Sequence, residues 1–555
     1  MAMTASAALA HADTFVVTTT ADAGTGSLRQ AMLDANAKQT TDGSHCARHL
    51  ITFAIPGAGP HTIQPLSALP KINIPITFDG YTQPGSSENT LTVGSNAVIA
   101  IELDGSLAGN ADAFVVGAGI PGSPLCSGST SWFRGFAINR FAGAAISMGE
   151  EACPVDQFCA VGGVLIQGNH IGTDPSGLVA RGNGIALGRA ALVFGTSSVV
   201  NVVGDQAASS GGPSDPRPQT RNVISGNGAD AILVSSTSSN PTSGFAHGHT
   251  IRNNYIGLAA SGAAAMPNAG RGVTLGFNSA GNLVHDNLVS ANLGDGVAVL
   301  DNAFPGGGTQ IIGNGIGIGV TGEPFGNGGH GALIAGSSTN VAIGSRWRLA
   351  PGAAAIANNG AAGVFVDGLA IVDAGNLSSA GNGGLAFDLA PVGANPNDAG
   401  DADGGPNELL NRPVIASVSA GPGGVQGTIT GSLDAVPAST YEIHFFYNDA
   451  CDAGGFGGGQ TPYPLPGFVS VTTDASGHAN FTRDVDFLPV GKSLTAATRS
   501  FATTTAIPAL ITSEFSNCMP VGAGDPIFAS GFDPSAAASP RTQERTLRAT
   551  LGGAR

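Results

Sequence analysis

Clustered carboxylates are the first residues in this chain that could do chemistry. The stretch Asn395-Pro396-Asn397-Asp398-Ala399-Gly400-Asp401-Ala402-Asp403-Gly404-Gly405-Pro406-Asn407 gathers three aspartates in a glycine-rich run. Ca²⁺ takes about six to eight oxygen ligands, and a pliable loop with several carboxylates can wrap around one. Asp398, Asp401 and Asp403 are therefore the calcium candidates. The spacing is not that of an EF-hand, because Gly405 stands at the third ligand position. A plain acidic linker is the competing reading.

Cleavage of a sugar chain asks for two carboxylates about 5 to 9.5 Å apart, flanking the scissile bond. Asp230 and Asp295 hold equivalent places in two copies of a repeat. Stacked three coils apart they would stand roughly 14 Å from each other, too far for that work, and turn-capping explains them equally well. Elimination would instead need Ca²⁺ or arginine against a uronate carboxylate and a basic residue to take a proton. The repeats supply Arg181, Arg221, Arg252 and Arg271 but no lysine. Arg252 and Tyr255 are candidates to line a sugar groove, against the plainer reading that Arg252 only keeps an outward strand face soluble.

Other chemistries find no support. Val490-Gly491-Lys492-Ser493 resembles the end of a phosphate loop, yet Asp486 occupies the place of its leading glycine, so no nucleotide cofactor is expected. His247-Gly248-His249 brings two imidazoles into one turn without a third ligand, short of a metal site. With 22 Lys and Arg against 38 Asp and Glu, the net charge of −16 repels a nucleic-acid partner. No apolar run approaches the ~20 residues of a membrane-spanning helix.

Six cysteines, Cys46, Cys126, Cys153, Cys159, Cys451 and Cys518, form no CxxC. An even number in an exported chain favours disulfides. Cys451 with Cys518 and Cys153 with Cys159 are the expected pairs, and Cys46 with Cys126 follows by elimination only. Ala10-His11-Ala12 before Asp13 has the small-residue pattern of a secretory cleavage site, so residues 1–12 read as a signal-peptide remnant, or else as a plain disordered start.

These candidates must be positioned by elements, and the elements repeat. Gly168-Asn169-His170-Ile171-Gly172 returns as Asn253-Asn254-Tyr255-Ile256-Gly257 and as Gly313-Asn314-Gly315-Ile316-Gly317. A second unit starts at Asn222, Asn287 and Ala354, with Asn227, Asn292 and Asn359 five residues on. Its starts lie 65 and 67 residues apart, which reads as three short turns of about 22 residues each. Alternating Ile, Val and Leu closed by Asn-Gly corners is the pattern of short half-buried strands. With 85 Gly in 555 residues, the chain favours turns over helices. The fold class expected is all-β: a parallel β-helix over residues 161–408, its first coils and N-terminal cap at 13–160. In the cap, Ser27 and Gln30 form a capping box opening a helix through Leu28, Ala31, Met32 and Ala35. Longer alternating strands such as Tyr441–Tyr447 make residues 409–520 a separate β-sandwich, and 521–555 a flexible tail.

Several strings carry a resemblance. Thr20-Ala21-Asp22 followed by Gly26-Ser27-Leu28-Arg29-Gln30-Ala31, then Asp79-Gly80-Tyr81-Thr82-Gln83-Pro84-Gly85 and the Asn-x-Ile-Gly units, resemble bacterial secreted right-handed parallel β-helix proteins with a CSLREA-type motif, within the pectate-lyase-like superfamily. Gly26 and Gln30 replace that motif's Cys and Glu. Asn448-Asp449-Ala450-Cys451 and Thr512-Ser513-Glu514-Phe515-Ser516 are similar to a C-terminal β domain that follows such helices. The resemblance implies a right-handed coil and a secreted or cell-surface address, extracellular or outer-membrane-associated. The expected function is binding of a polysaccharide or cell surface along the lateral face. A polysaccharide lyase or glycoside hydrolase of the same fold, and a passive adhesive stalk, are the alternatives.

Overall fold

The computed structural model describes residues 12–522 apart from 39–46, 118–129, 151–160, 207–215, 237–245, 302–307, 345–354, 452–453, 465–466 and 504–508. Residues 1–11 of the expected signal-peptide remnant, nearly all of the expected tail, Cys46, Cys126, Cys153, Cys159 and Ala354 therefore lie outside the described residues.

From Thr14 to Leu389 the chain is a parallel β-helix. Each coil contributes short strands to three parallel sheets, A, B and C, of 11, 8 and 9 strands. The period-two pattern sets which side chains point inward. In sheet A, Phe78, Phe133, Ile166, Val203, Ile251 and Val284 occupy one column in successive coils and are all buried. Each such side chain contributes about 1.5–3 kcal/mol of burial. The first coils are filled by aromatic rings, with Phe78 and Phe133 stacked 5.1 Å apart and Phe114 tilted against both. The later coils are mainly aliphatic, with Phe194 and Phe387 among them.

The coils are longer than the sequence spacing suggests. The two asparagine-led units fall at the same corner of successive coils, just before sheet B. Asn169, Asn222, Asn254, Asn287 and Asn314 stand one above another, separated by 53, 32, 33 and 27 residues. The 65-residue period is thus two coils, not three. The short-turn reading fails because insertions of different length are looped out between strands while the corner stays in place.

That corner is a hydrogen-bonded ladder. Each Asn donates its side-chain N–H to the Oδ1 of the next, at 2.9–3.2 Å. A second ladder runs through Asn183, Asn227, Asn268, Asn292, Asn327, Asn359 and Asn382 at the other end of sheet B, at 2.8–3.2 Å. The asparagines of both ladders are buried, save Asn382 at the last rung.

The N-terminal end is closed by the helix Leu28–Asn36, whose Leu28, Ala31, Met32 and Ala35 are buried. Ser27 Oγ accepts from the Gln30 N–H, the first half of the capping box. The second half is not made: the Ser27 N–H is already bound to the Gly24 carbonyl, and the Gln30 side chain donates to Asp34 instead. Arg29 ties the cap down through Asp22 and the carbonyls of Ser67 and Ala68. Gly26, at φ +81°, is required there, since a Cβ would stand 2.3 Å from Thr18 Oγ1.

Residues 414–520 form two packed antiparallel sheets, the expected β-sandwich. It is not separate. Phe446, Ala497 and Phe515 join the β-helix core, so the sandwich covers the open end of the last coil. Cys451 and Cys518 form the expected disulfide, with Cα atoms 5.6 Å apart across 67 residues of sequence. Among the described residues no helix is long and apolar enough to cross a membrane.

Replacing a ladder residue orphans groups on both neighbouring coils. Asn268→Ala strips a partner from Asn227 and Asn292, and each buried group left unsatisfied costs about 1–3 kcal/mol. The urea midpoint of this variant is expected to fall markedly; an unchanged midpoint would show that the ladder contributes nothing to stability.

Candidate functional site

Where the stack of coils stops, the chain must turn from the last solenoid strand, Phe387–Leu389, into the sandwich, and the acidic stretch makes that turn. Asn411 organises it. Its N–H donates to Asp401 Oδ1 at 2.8 Å, its Oδ1 accepts from the Asp398 N–H, and its side-chain amide donates to the Asp398 carbonyl. Asp398 Oδ2 accepts the N–H groups of Ala402 and Asp403. Asn407 works as a strand substitute. It exchanges hydrogen bonds with both backbone groups of Val372 and donates to the Thr512 carbonyl, linking solenoid to sandwich. Asn407, Glu408 and Leu409 all take left-handed φ values near 50–57°, which non-glycine residues adopt at a cost of roughly 1–2 kcal/mol each. The buried bonds of Asn407 hold this turn in place.

The three predicted calcium ligands converge. Asp398, Asp401 and Asp403 each present an oxygen within 4.8 Å of the others. Burial, reinforced by the charges of Asp398, Asp403 and Glu408 and opposed by the bond from Asn411, pushes Asp401 up to about 6. Burial and Asp398 raise Asp403 as well. Beside this triad lies a cavity of about 620 Å³, walled by the last coils, the acidic loop and the sandwich.

Glu514, in the resembling Thr512–Ser516 string, is a site residue that local spacing could not reveal. It is buried and accepts from the Leu389 and Asn395 N–H groups, the Asn395 side chain and Arg412, at 2.8–3.2 Å. Arg412 in turn lies 4.6 Å over the Phe456 ring. Burial, with Asp388 nearby, pushes Glu514 up to about 7 despite the four donors.

The structure does not bring the residues proposed for a sugar groove together: Arg252 lies on sheet A, Tyr255 on sheet B, and Asp230 and Asp295 ahead of sheet C. Arg252 does face outward on sheet A, but it is 5% exposed and ion-paired to Asp286 at 2.9 Å, so it is a packed coil-to-coil clamp and not a solvated solubility residue. Tyr255 is buried in a small apolar layer outside sheet B, with Leu258, Leu288 and Ile318. Its hydroxyl accepts from the Gly94 N–H and its ring carries the Arg221 guanidinium 4.6 Å away. Asp230 and Asp295 share a column, two coils apart and so roughly 10 Å by the strand spacing. Arg271, on the coil between, donates its N–H to Asp230 and its side chain to Asp295. His249 of the His-Gly-His turn is buried and accepts from the Asn201 N–H, a packing role.

Most other lateral charges are closed in the same way. Arg134 pairs with Asp79 at 3.3 Å and with Glu88, Arg140 with Asp104 at 2.7 Å, Arg181 with Glu102, Arg189 with Asp112 at 3.2 Å, and Arg217 with Asp205 at 2.7 Å. Glu102 and Asp104, outward neighbours on one buried strand, were missed by the sequence reading. The signal available was the alternation Ile101-Glu102-Leu103-Asp104 in a chain with few charges. Glu102 also accepts from Thr62 and Asn139, and Asp104 from Gln64.

No protein-family model matches this chain, and no curated protein matches it.

The raised pKa of Glu514 sets a pH dependence. A carboxyl whose folded value is about 7, against 4.5 ordinarily, holds its proton better folded than unfolded. Its contribution to stability is complete below about 4.5 and is lost as pH rises through 7. The melting temperature of the unmodified chain relative to Glu514→Gln is expected to decline between those values. A difference that stays level or grows with pH would contradict the assignment.

Proposed function

We propose that the chain is an exported bacterial β-helix protein, extracellular or held at the outer membrane, that binds a polysaccharide or a cell surface along its lateral face without cleaving it. One observation carries the preference for binding over catalysis: many of the lateral carboxylates among the described residues are paired with arginines or amides, most of them across coils. A general acid or base must reach a substrate atom, and a carboxylate whose oxygens are already engaged by a guanidinium or an amide of a neighbouring coil has little left to present. Arginines spent on those pairs are likewise withdrawn from neutralising a uronate or removing a proton. The disulfide suits an oxidising compartment, and the resemblance to secreted CSLREA-type β-helices points the same way.

Calcium is proposed as a structural ion at Asp398, Asp401 and Asp403. The mutual approach of their oxygens supports it, and the glycines around them leave room for backbone or water oxygens to complete the shell. Its role would be to hold the junction between coil stack and sandwich.

Incubation with a panel of acidic and neutral polysaccharides is expected to release neither unsaturated products nor reducing ends, while at least one immobilised glycan retains the chain. Turnover on any member would replace the binding reading with an enzymatic one. Ca²⁺ is expected to raise the melting temperature, and Asp401→Asn to abolish that rise; a melt indifferent to Ca²⁺ and to chelator would remove the ion from the account.

A further inference from the structure

We propose that the junction cavity binds a small organic cation with an apolar body, an aryl- or alkylammonium, its charge toward Asp401, Asp403 and Glu408 and its body against Leu369, Phe501 and Ile511. The cavity of about 620 Å³ lies in the size range of small-molecule sites, which are about 300–1,000 Å³. Its two sides differ in kind. The acidic loop supplies the three carboxylates, and no lysine or arginine is among the described residues lining it. Asp403 and Glu408 both act electrostatically on Asp401, so the three charges form one patch. The walls from solenoid and sandwich set Leu369, Ile371, Val436, Phe501 and Ile511 among hydroxyl side chains, of which Thr503 donates to Glu408.

The mouth carries the second argument. Leu369 is 70% exposed and Phe501 61% exposed, two large apolar side chains facing solvent at the rim of the same cavity. Exposed apolar side chains at the mouth of a half-open cavity of this size give the body of a small ligand a surface to rest on. An anion is repelled by three carboxylates, and a neutral apolar body gains nothing from them. A bare metal ion answers the acids and leaves the apolar walls unused. Only a ligand carrying both a cationic head and an apolar body is complementary to the whole lining.

This site does not depend on the glycan reading, and it shares Asp401 and Asp403 with the calcium reading. Calorimetric titration of the full chain, in buffer freed of divalent ions, with phenylbutylammonium, phenylbutanol and phenylbutyrate separates the possibilities. Saturable binding of the ammonium is expected, with the alcohol about threefold to fivefold weaker, the scale of one partly solvated charge pairing, and no binding of the carboxylate. Leu369→Ala and Asp403→Asn alter exposed side chains, so the fold is retained, and each is expected to weaken the ammonium severalfold. Equal affinity for the three probes, or no saturable binding of the ammonium, overturns the proposal. Ammonium binding that added Ca²⁺ weakens supports both readings of the acids. Ammonium binding with a melt indifferent to Ca²⁺ keeps this site and removes the ion, whereas a Ca²⁺-dependent melt without ammonium binding does the reverse.

Discussion

Each corner of a coil leaves backbone N–H and C=O groups inside the molecule with no strand to pair them, and the asparagine ladders are what satisfies them. Asn254 shows the full device. Its Oδ1 accepts from Asn222, its Nδ2 donates to the Val203 carbonyl, to the Arg252 carbonyl two residues back and to Asn287 Oδ1, and its N–H donates to the same Asn287 oxygen. Glutamine is one methylene too long for this spacing and aspartate lacks the donor, so a buried corner repeated coil after coil selects asparagine. Once the corners are fixed, the strands between them are fixed too. Everything else can vary, which is why loops of very different length leave between the same ladder positions.

A stack built this way has no natural end. At the first coil the helix Leu28–Asn36 covers the core, with Arg29 fastening it to Asp22. At the last coil Phe446 and Phe515 of the sandwich do so, meeting edge to face at 5.1 Å. The second closure needs the chain to reverse sharply between two rigid bodies. Glu514, Asn407, and Arg499 paired with Asp373 at 2.7 Å tie the two together. Packing is least regular where two architectures meet, so the large cavity and the clustered unneutralised carboxylates fall there and not along the uniform coils.

What the sequence disclosed follows from the range of each interaction. The strands, the capping helix with its four buried residues, and the Asp398–Asp403 cluster depend on neighbours a few residues away, and all were legible. Coil length was not, because two asparagine-led strings that looked like different units occupy one corner. Tyr255 looked like a groove residue because Tyr at an outward strand position ordinarily meets solvent. Here the chain segment at Gly94 and the layer of Leu258, Leu288 and Ile318 cover it. Glu514 meets Asn395 across 119 residues and Arg412 across 102, and no local pattern announces such a contact. The disulfide pairing was legible only because Cys451 and Cys518 both lie in the sandwich.

The distribution of charge bears most directly on function. A chain with 11% charged residues commits many of those on its coils to pairs between adjacent coils, where the fixed strand spacing of about 4.8 Å brings opposite side chains together. Such pairs align successive coils. At the junction Asp398, Asp401, Asp403 and Glu408 face one another with no arginine or lysine in the described cavity wall, and burial raises Asp401 and Asp403. An arrangement that opposes its own charges persists only if the surrounding bonds impose it, as Asn411 and Asn407 do here, and a cation of some kind is the species that would relieve it. The arginines of the coils are largely committed to carboxylates beside them, whereas the carboxylates of the junction are held together without a base in the described cavity wall, so the place where a cation would be answered lies at the junction and not along the coils.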